Sequence, residues 1–136
     1  MSKKFGKRFI GSIAAAVLCF SMVTAGASAA SSSSKDTVGY GKLRGAISVN
    51  SLNDFQITTT VEKNNDNAYL TGSVEWQDKS GNTVFTGDAL SPGRGATFLY
   101  DFWTIFGSKP HQAFGSHGVQ GGHTYGAAAV YTFTVL

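Results

Sequence analysis

The sequence predicts an all-β protein, a small antiparallel β-sandwich or barrel of about six to seven strands, behind a cleaved secretory signal peptide. Three observations carry this reading. Apolar and polar residues alternate with a period of two from Val38 onward, and no stretch holds a helical period. Clusters of Asn, Asp and Gly punctuate the alternation at short intervals, where tight turns need residues that tolerate left-handed dihedrals. Residues 1–29 have the layout of an export signal.

That leader starts with Lys3, Lys4, Lys7 and Arg8, continues through an apolar stretch from Ile13 to Val23, and ends in the small-residue site Ala27-Ser28-Ala29. The apolar stretch is shorter than the roughly 20 residues of a spanning helix, so cleavage and a mature form that does not span the membrane are expected. Cys19 follows Leu18, where a lipoprotein signal needs a small residue, so lipidation is not expected. The basic start suits a Gram-positive bacterial exporter and an extracellular product. Four of the 11 basic residues lie in the leader, so residues 30–136 carry seven bases against all 8 acids, a net −1. The basic character therefore belongs to targeting and gives no support for nucleic-acid binding. The only cysteine also leaves with the leader, so the mature domain is disulfide-free and held by its core alone.

Residues 30–37 form a Ser-rich segment expected to be a flexible tail, and 38–136 a single all-β domain. In GKLRGAISV, Leu43, Ile47 and Val49 share the core face, and the Lys42/Arg44 pair on the other face suits an edge strand. DFQITTTVE places Phe55, Ile57 and Val61 inward. AYLTGSVEWQD places Leu70, Val74 and Trp76 inward, with Tyr69, Thr71, Glu75 and Gln77 outward. NTVFTG is a short strand and ALSPGRG a loop. In the last strand, TYGAAAVYTFTVL, the expected core face carries Tyr125, Ala127, Ala129, Tyr131, Phe133 and Val135.

All three histidines lie in HQAFGSHGVQGGHTYG, six residues apart at His111, His117 and His123. Three imidazoles can make an open zinc or copper site if they converge. A two-residue turn at Gly121-Gly122 pairs Gln120 with His123 and puts Phe114 on the core side, opposite Ala129. In that register His111 and His117 point outward and His123 lies on the opposite face. A three-residue loop would bring His117 and His123 to one face, but would turn Phe114 outward. The first register is preferred, and no metal site or cofactor is expected. A pH response is still allowed: Lys109 is the only permanent charge in 102–136, and three protonated imidazoles would take that segment from +1 to +4.

FLYDFWTIF, residues 98–106, is apolar on both faces and carries a carboxylate. One reading is a central strand covered on both sides. The functional reading is an exposed platform of Leu99, Asp101, Trp103 and Ile105, with Trp103 stacking on a partner and Asp101 orienting it. His111 and His117 complete the expected binding set.

No catalytic pattern emerges. Ser116 and His117 are adjacent on a strand, so they point to opposite faces and cannot act as nucleophile and base. The carboxylates fit turn or exposed positions, and GRGATF lacks the spacing of a phosphate loop. The expectation is a non-enzymatic secreted binding protein whose partner is an extracellular polymer, a cell-surface component or another protein. The alternative is a bacteriocin-like or toxin-like antagonist of neighbouring cells.

Overall fold

The computed structural model describes residues 27–50, 52–107 and 110–136. The expected signal peptide falls outside these residues up to position 26. Eight strands follow among the described residues: β1 (Ala27–Thr37), β2 (Gly41–Asn50), β3 (Asp54–Val61), β4 (Tyr69–Gln77), β5 (Thr83–Asp88), β6 (Phe98–Thr104), β7 (Gln112–Gln120) and β8 (Ala128–Val135). They form two four-stranded antiparallel sheets in the orders β1-β2-β3-β6 and β5-β4-β7-β8. The two sheets pack face to face, as the alternating pattern predicts.

The extra strand is the Ser-rich segment. The segment expected to be a flexible tail is β1, paired with β2 from Ala27↔Asn50 to Thr37↔Gly41. Serine supplies little apolar surface, so composition reads as disorder. An edge strand needs little: its ladder bonds come from the backbone, and only alternate side chains meet the other sheet. The turn into β2 is tied by Thr37 Oγ1 donating to the Gly41 carbonyl at 2.6 Å, and Lys42 pairs with Asp36 across the strands at 2.9 Å. β2 is consequently interior. Lys42 and Arg44 do not mark the sheet edge; β1 covers them there.

The inward residues expected for β2, β3 and β4 are buried: Leu43, Ile47, Val49, Phe55, Ile57, Val61, Leu70, Val74 and Trp76. They fall into two clusters. One holds Tyr40, Leu43, Val61, Leu70, Leu99, Val119 and Val130; the other holds Ile47, Phe55, Ile57, Val74, Trp76 and Ala113. Between them runs a polar layer. On β2 it is Gly45, between Leu43 and Ile47; on β3, Thr59; on β7, His117; on β8, Thr132.

β8 inverts the expectation. Val130 and Thr132 are buried, while Tyr131, Phe133 and Val135 face solvent. The strand pairs with β7 in the register Phe114↔Phe133, His117↔Val130 and Val119↔Ala128, so Phe114 lies opposite Phe133 rather than Ala129. Apolar content does not choose the face of a strand that is apolar on both; the space opposite it does. Diagonal to Thr132 sits an imidazole that needs a hydroxyl partner.

Candidate functional site

His117 was expected to face outward, but it is fully buried, at 0% exposure. Its ring fills the gap left by two glycines: a methyl on Gly45 would strike the ring carbons, and one on Gly115 would meet Ile47 and His117 Nε2 within 2.8 Å. Nδ1 lies 3.2 Å from Thr59 Oγ1, which itself donates to the Thr71 carbonyl at 3.0 Å. Thr59 has therefore spent its proton and accepts from Nδ1–H. Nε2 is left as the acceptor for the Thr132 hydroxyl at 2.9 Å. Every link carries one proton, and the chain fits a neutral ring. Burial lowers the imidazole to about 4, against a smaller upward pull from the Thr58 backbone.

The other two histidines lie at opposite ends of β7, about 30 Å apart at strand rise. His111 precedes the strand, its N–H donating to the Gln77 carbonyl at 2.9 Å and its carbonyl accepting from Leu136 N at 2.8 Å. His123 lies in the loop after it. The structure brings none of the three together.

That loop is not a two-residue turn. It runs over residues 121–127 and is latched by Asp66. The buried Asp66 carboxylate accepts from Thr124 N at 2.9 and 3.0 Å, Tyr125 N at 2.9 Å and Tyr40 Oη at 3.0 Å. Burial pushes this carboxyl up, but the bonds from Tyr125, Thr124 and Tyr40 together outweigh it and hold it at about 2. Gly122 passes so close to Asp66 and Tyr40 that any side chain would collide with both. The paired glycines serve this close approach rather than a hairpin.

The β6 platform is also turned over. Leu99 is buried, and Asp101, Trp103 and Ile105 are half-buried on the same inward side. Trp103 packs on Phe85 with ring centroids 6.0 Å apart. Asp101 closes the sandwich edge, accepting from Leu90 N at 3.0 Å and Phe102 N at 2.8 Å. Of the four residues, none makes an exposed face.

Tyr100 and Phe102 stack on the outer face of β6 with centroids 6.3 Å apart, and a larger exposed aromatic surface lies on the other sheet. On the outer face of β7 and β8, Phe114 and Phe133 pack as a cross-strand pair at 5.0 Å, and Tyr131 and Val135 flank them. Tyr131 is 71% exposed and Phe133 49%. Beside this patch β4 carries a strip of polar groups. Thr83 Oγ1 donates to Glu75 Oε1 at 2.6 Å, Gln77 Nε2 to the same oxygen at 2.8 Å, and Gln112 Nε2 to Gln77 Oε1 at 2.6 Å. Phe114 lies directly opposite Glu75. The hydrogen bonds from Thr83 and Gln77 keep Glu75 below the usual carboxylate range. Sequence reading assigned Phe114, Tyr131 and Phe133 to the core. The signal that would have exposed them is the burial demand of His117, three residues from Phe114 and therefore on the other face.

Family models, curated proteins and solved structures were compared with this chain, and none matches it.

Proposed function

We propose that the protein is a small secreted, non-enzymatic β-sandwich that binds an extracellular carbohydrate polymer through the outer face of β7, β8 and β4. The observation that carries this reading is the Phe114–Phe133–Tyr131 patch bordered by the Glu75–Gln77–Gln112 strip. Aromatic rings offer flat apolar area to the C–H face of a sugar, and the adjacent carboxylate and amides match its hydroxyls. A patch of this kind on a strand face costs solubility and is usually an interaction site.

The test is retention on insoluble polysaccharide and isolated cell walls. Tyr131→Ala and Phe133→Ala should each weaken binding by at least about tenfold, the size of an interface anchor. Tyr100→Ala, on the outer face of the other sheet, should bind like the parent. Equal binding by all four proteins would refute the reading.

One observation favours the alternative of an antagonist acting on neighbouring cells. Leu52 and Phe106 stand out from the two loops that meet at one end of the sandwich, 74% and 86% exposed. The loops touch through Ile105 N donating to the Asn53 carbonyl at 3.3 Å. Side chains so placed suit insertion into a lipid surface. Dye leakage from vesicles or cells that is lost in Leu52→Ser/Phe106→Ser would favour it over the polymer reading.

A further inference from the structure

We propose that the other end of the sandwich carries a receptor for a single oxyanion, a carboxylate or a phosphate, built from Arg94 and His123. It lies on the same outer face as the aromatic patch but at the opposite end of β4, and does not depend on that reading.

Arg94 sits in the loop SPGRGAT between two glycines with left-handed backbones, Gly93 at φ 105° and Gly95 at φ 81°. Only glycine takes those dihedrals cheaply, and the pair folds the loop so that the arginine turns back over the sheet. Gly95 N donates to the Ala68 carbonyl at 2.8 Å and fixes the loop there. The guanidinium then lies over the Tyr69 ring, 5.3 Å from its centroid. Its Nη1 donates to the Asn67 carbonyl at 3.1 Å and to the Gly121 carbonyl at 2.8 Å. Gly121, at φ 72°, packs against the Tyr69 ring with no room for a side chain, which lets its carbonyl reach Arg94. Tyr69 is itself held by Gln120 Nε2 at 2.8 Å.

These contacts use one nitrogen of the fork. Nε and Nη2 carry the remaining three protons, and the side chain is exposed. Among the described residues the charge has no counter-ion: each contact of the group is to a carbonyl or a ring. Asp66, one residue from Asn67, is committed to Tyr40, Thr124 and Tyr125. A mere staple would need only the two carbonyl bonds, which a neutral donor also supplies. A fixed planar cation with open donors is instead the geometry that takes a carboxylate or phosphate, and its immobilisation removes the ordering cost of binding.

His123 is placed to contribute. Asn67 holds Arg94 with its carbonyl, and its side-chain Nδ2 lies 3.5 Å from His123 Nε2. That contact places the ring proton on Nδ1, and Asn67 joins the imidazole to the guanidinium through its side chain and its carbonyl. The His123 backbone is tied to the Asp66 carbonyl at 3.1 Å, so the imidazole is carried on the latched loop rather than on a free one.

The test is an NMR titration of the purified protein with inorganic phosphate and, separately, with acetate, at constant ionic strength in chloride. Saturable shifts at Arg94 Nε–H and the His123 ring are expected, and the anion that saturates first names the ligand class. Arg94→Lys keeps the charge but loses the fork, and should weaken binding at least about fivefold. His123→Ala removes a surface ring that braces no core element, and should weaken it about two- to threefold while the fold is kept. The proposal is overturned if neither anion saturates, if both variants bind like the parent, or if shifts rise linearly and equally at Lys42, Lys63 and Lys79.

Discussion

Acid should destabilise this protein well above the range in which its carboxylates protonate, and His117 is the reason. In the unfolded chain the imidazole titrates at its ordinary 6.5; in the folded chain it does so only at about 4. Between these values the unfolded state binds a proton that the folded state refuses. The contribution of His117 is thus fully present above pH 6.5, falls as the pH drops toward 4, and levels off below. At 1.36 kcal/mol per pH unit the full loss is about 3 kcal/mol. For a domain of this size that is a fall in Tm of about 10–20 °C. Full burial leaves solvent little scope to screen the effect. The residues that touch the ring, Gly45, Thr59, Gly115 and Thr132, carry no charge that could hold the imidazolium.

The assay is urea unfolding at half-unit pH steps from 7.5 to 4, on the parent and on His117→Gln, which cannot titrate. The parent should lose stability steadily through the window. The variant, whatever its stability at neutral pH, should be nearly flat there. A parent curve flat from pH 6.5 to 4.5 would refute the reasoning, as would an equal slope in the variant. The same burial removes His117 from any surface response to mild acid.

Three further outcomes are expected. Gly45→Ala should cost about 1–3 kcal/mol in urea, because its methyl overlaps the His117 ring, and should cost much less in a His117→Ala background. Asp66→Asn should speed hydrogen exchange at the Thr124 and Tyr125 amides. In the parent the Asp66 contribution is full above its ordinary 3.8 and should be lost only as the pH falls toward about 2. A chain beginning at Val38 lacks β1 and leaves the β2 edge unpaired; light scattering should show it associating where the longer chain does not.

Much of the fold is legible in the sequence because burial in a sheet has a period of two. Leu43, Ile47, Val49, Phe55, Ile57, Val61, Leu70, Val74 and Trp76 are read correctly, since each has polar neighbours that decide its face. The reading fails where that contrast disappears. In β6, β7 and β8 both faces carry aromatic or small residues, so alternation places Phe114 and Phe133 inward and His117 outward, the reverse of what is found. β1 fails for the opposite reason, having almost no apolar residue on either face. The Asp66 latch was out of reach, because it joins positions 58 and 59 residues apart through backbone amides.

The buried imidazole resolves the ambiguity that defeats alternation. Slipping β7 by one residue against its neighbours exchanges its faces, and the exchange would bury Phe114 while exposing His117. On apolar area alone the exchange is nearly neutral, because the buried Ala113 and Val119 would be exposed with His117. It is blocked by the polar layer. With the imidazole gone, the Thr132 hydroxyl would be shut in without its partner and Thr59 would lose the donor it accepts from, each a penalty of about 1–3 kcal/mol. Gly45 would leave a slot shaped for a flat ring that Phe114, displaced by one residue along the strand, does not enter. His117, Gly45 and the two threonines thus select one register from two that apolar content leaves open. The aromatic pair stays on the outside as a consequence of that selection, and the surface proposed to bind a polymer exists because a histidine is required within.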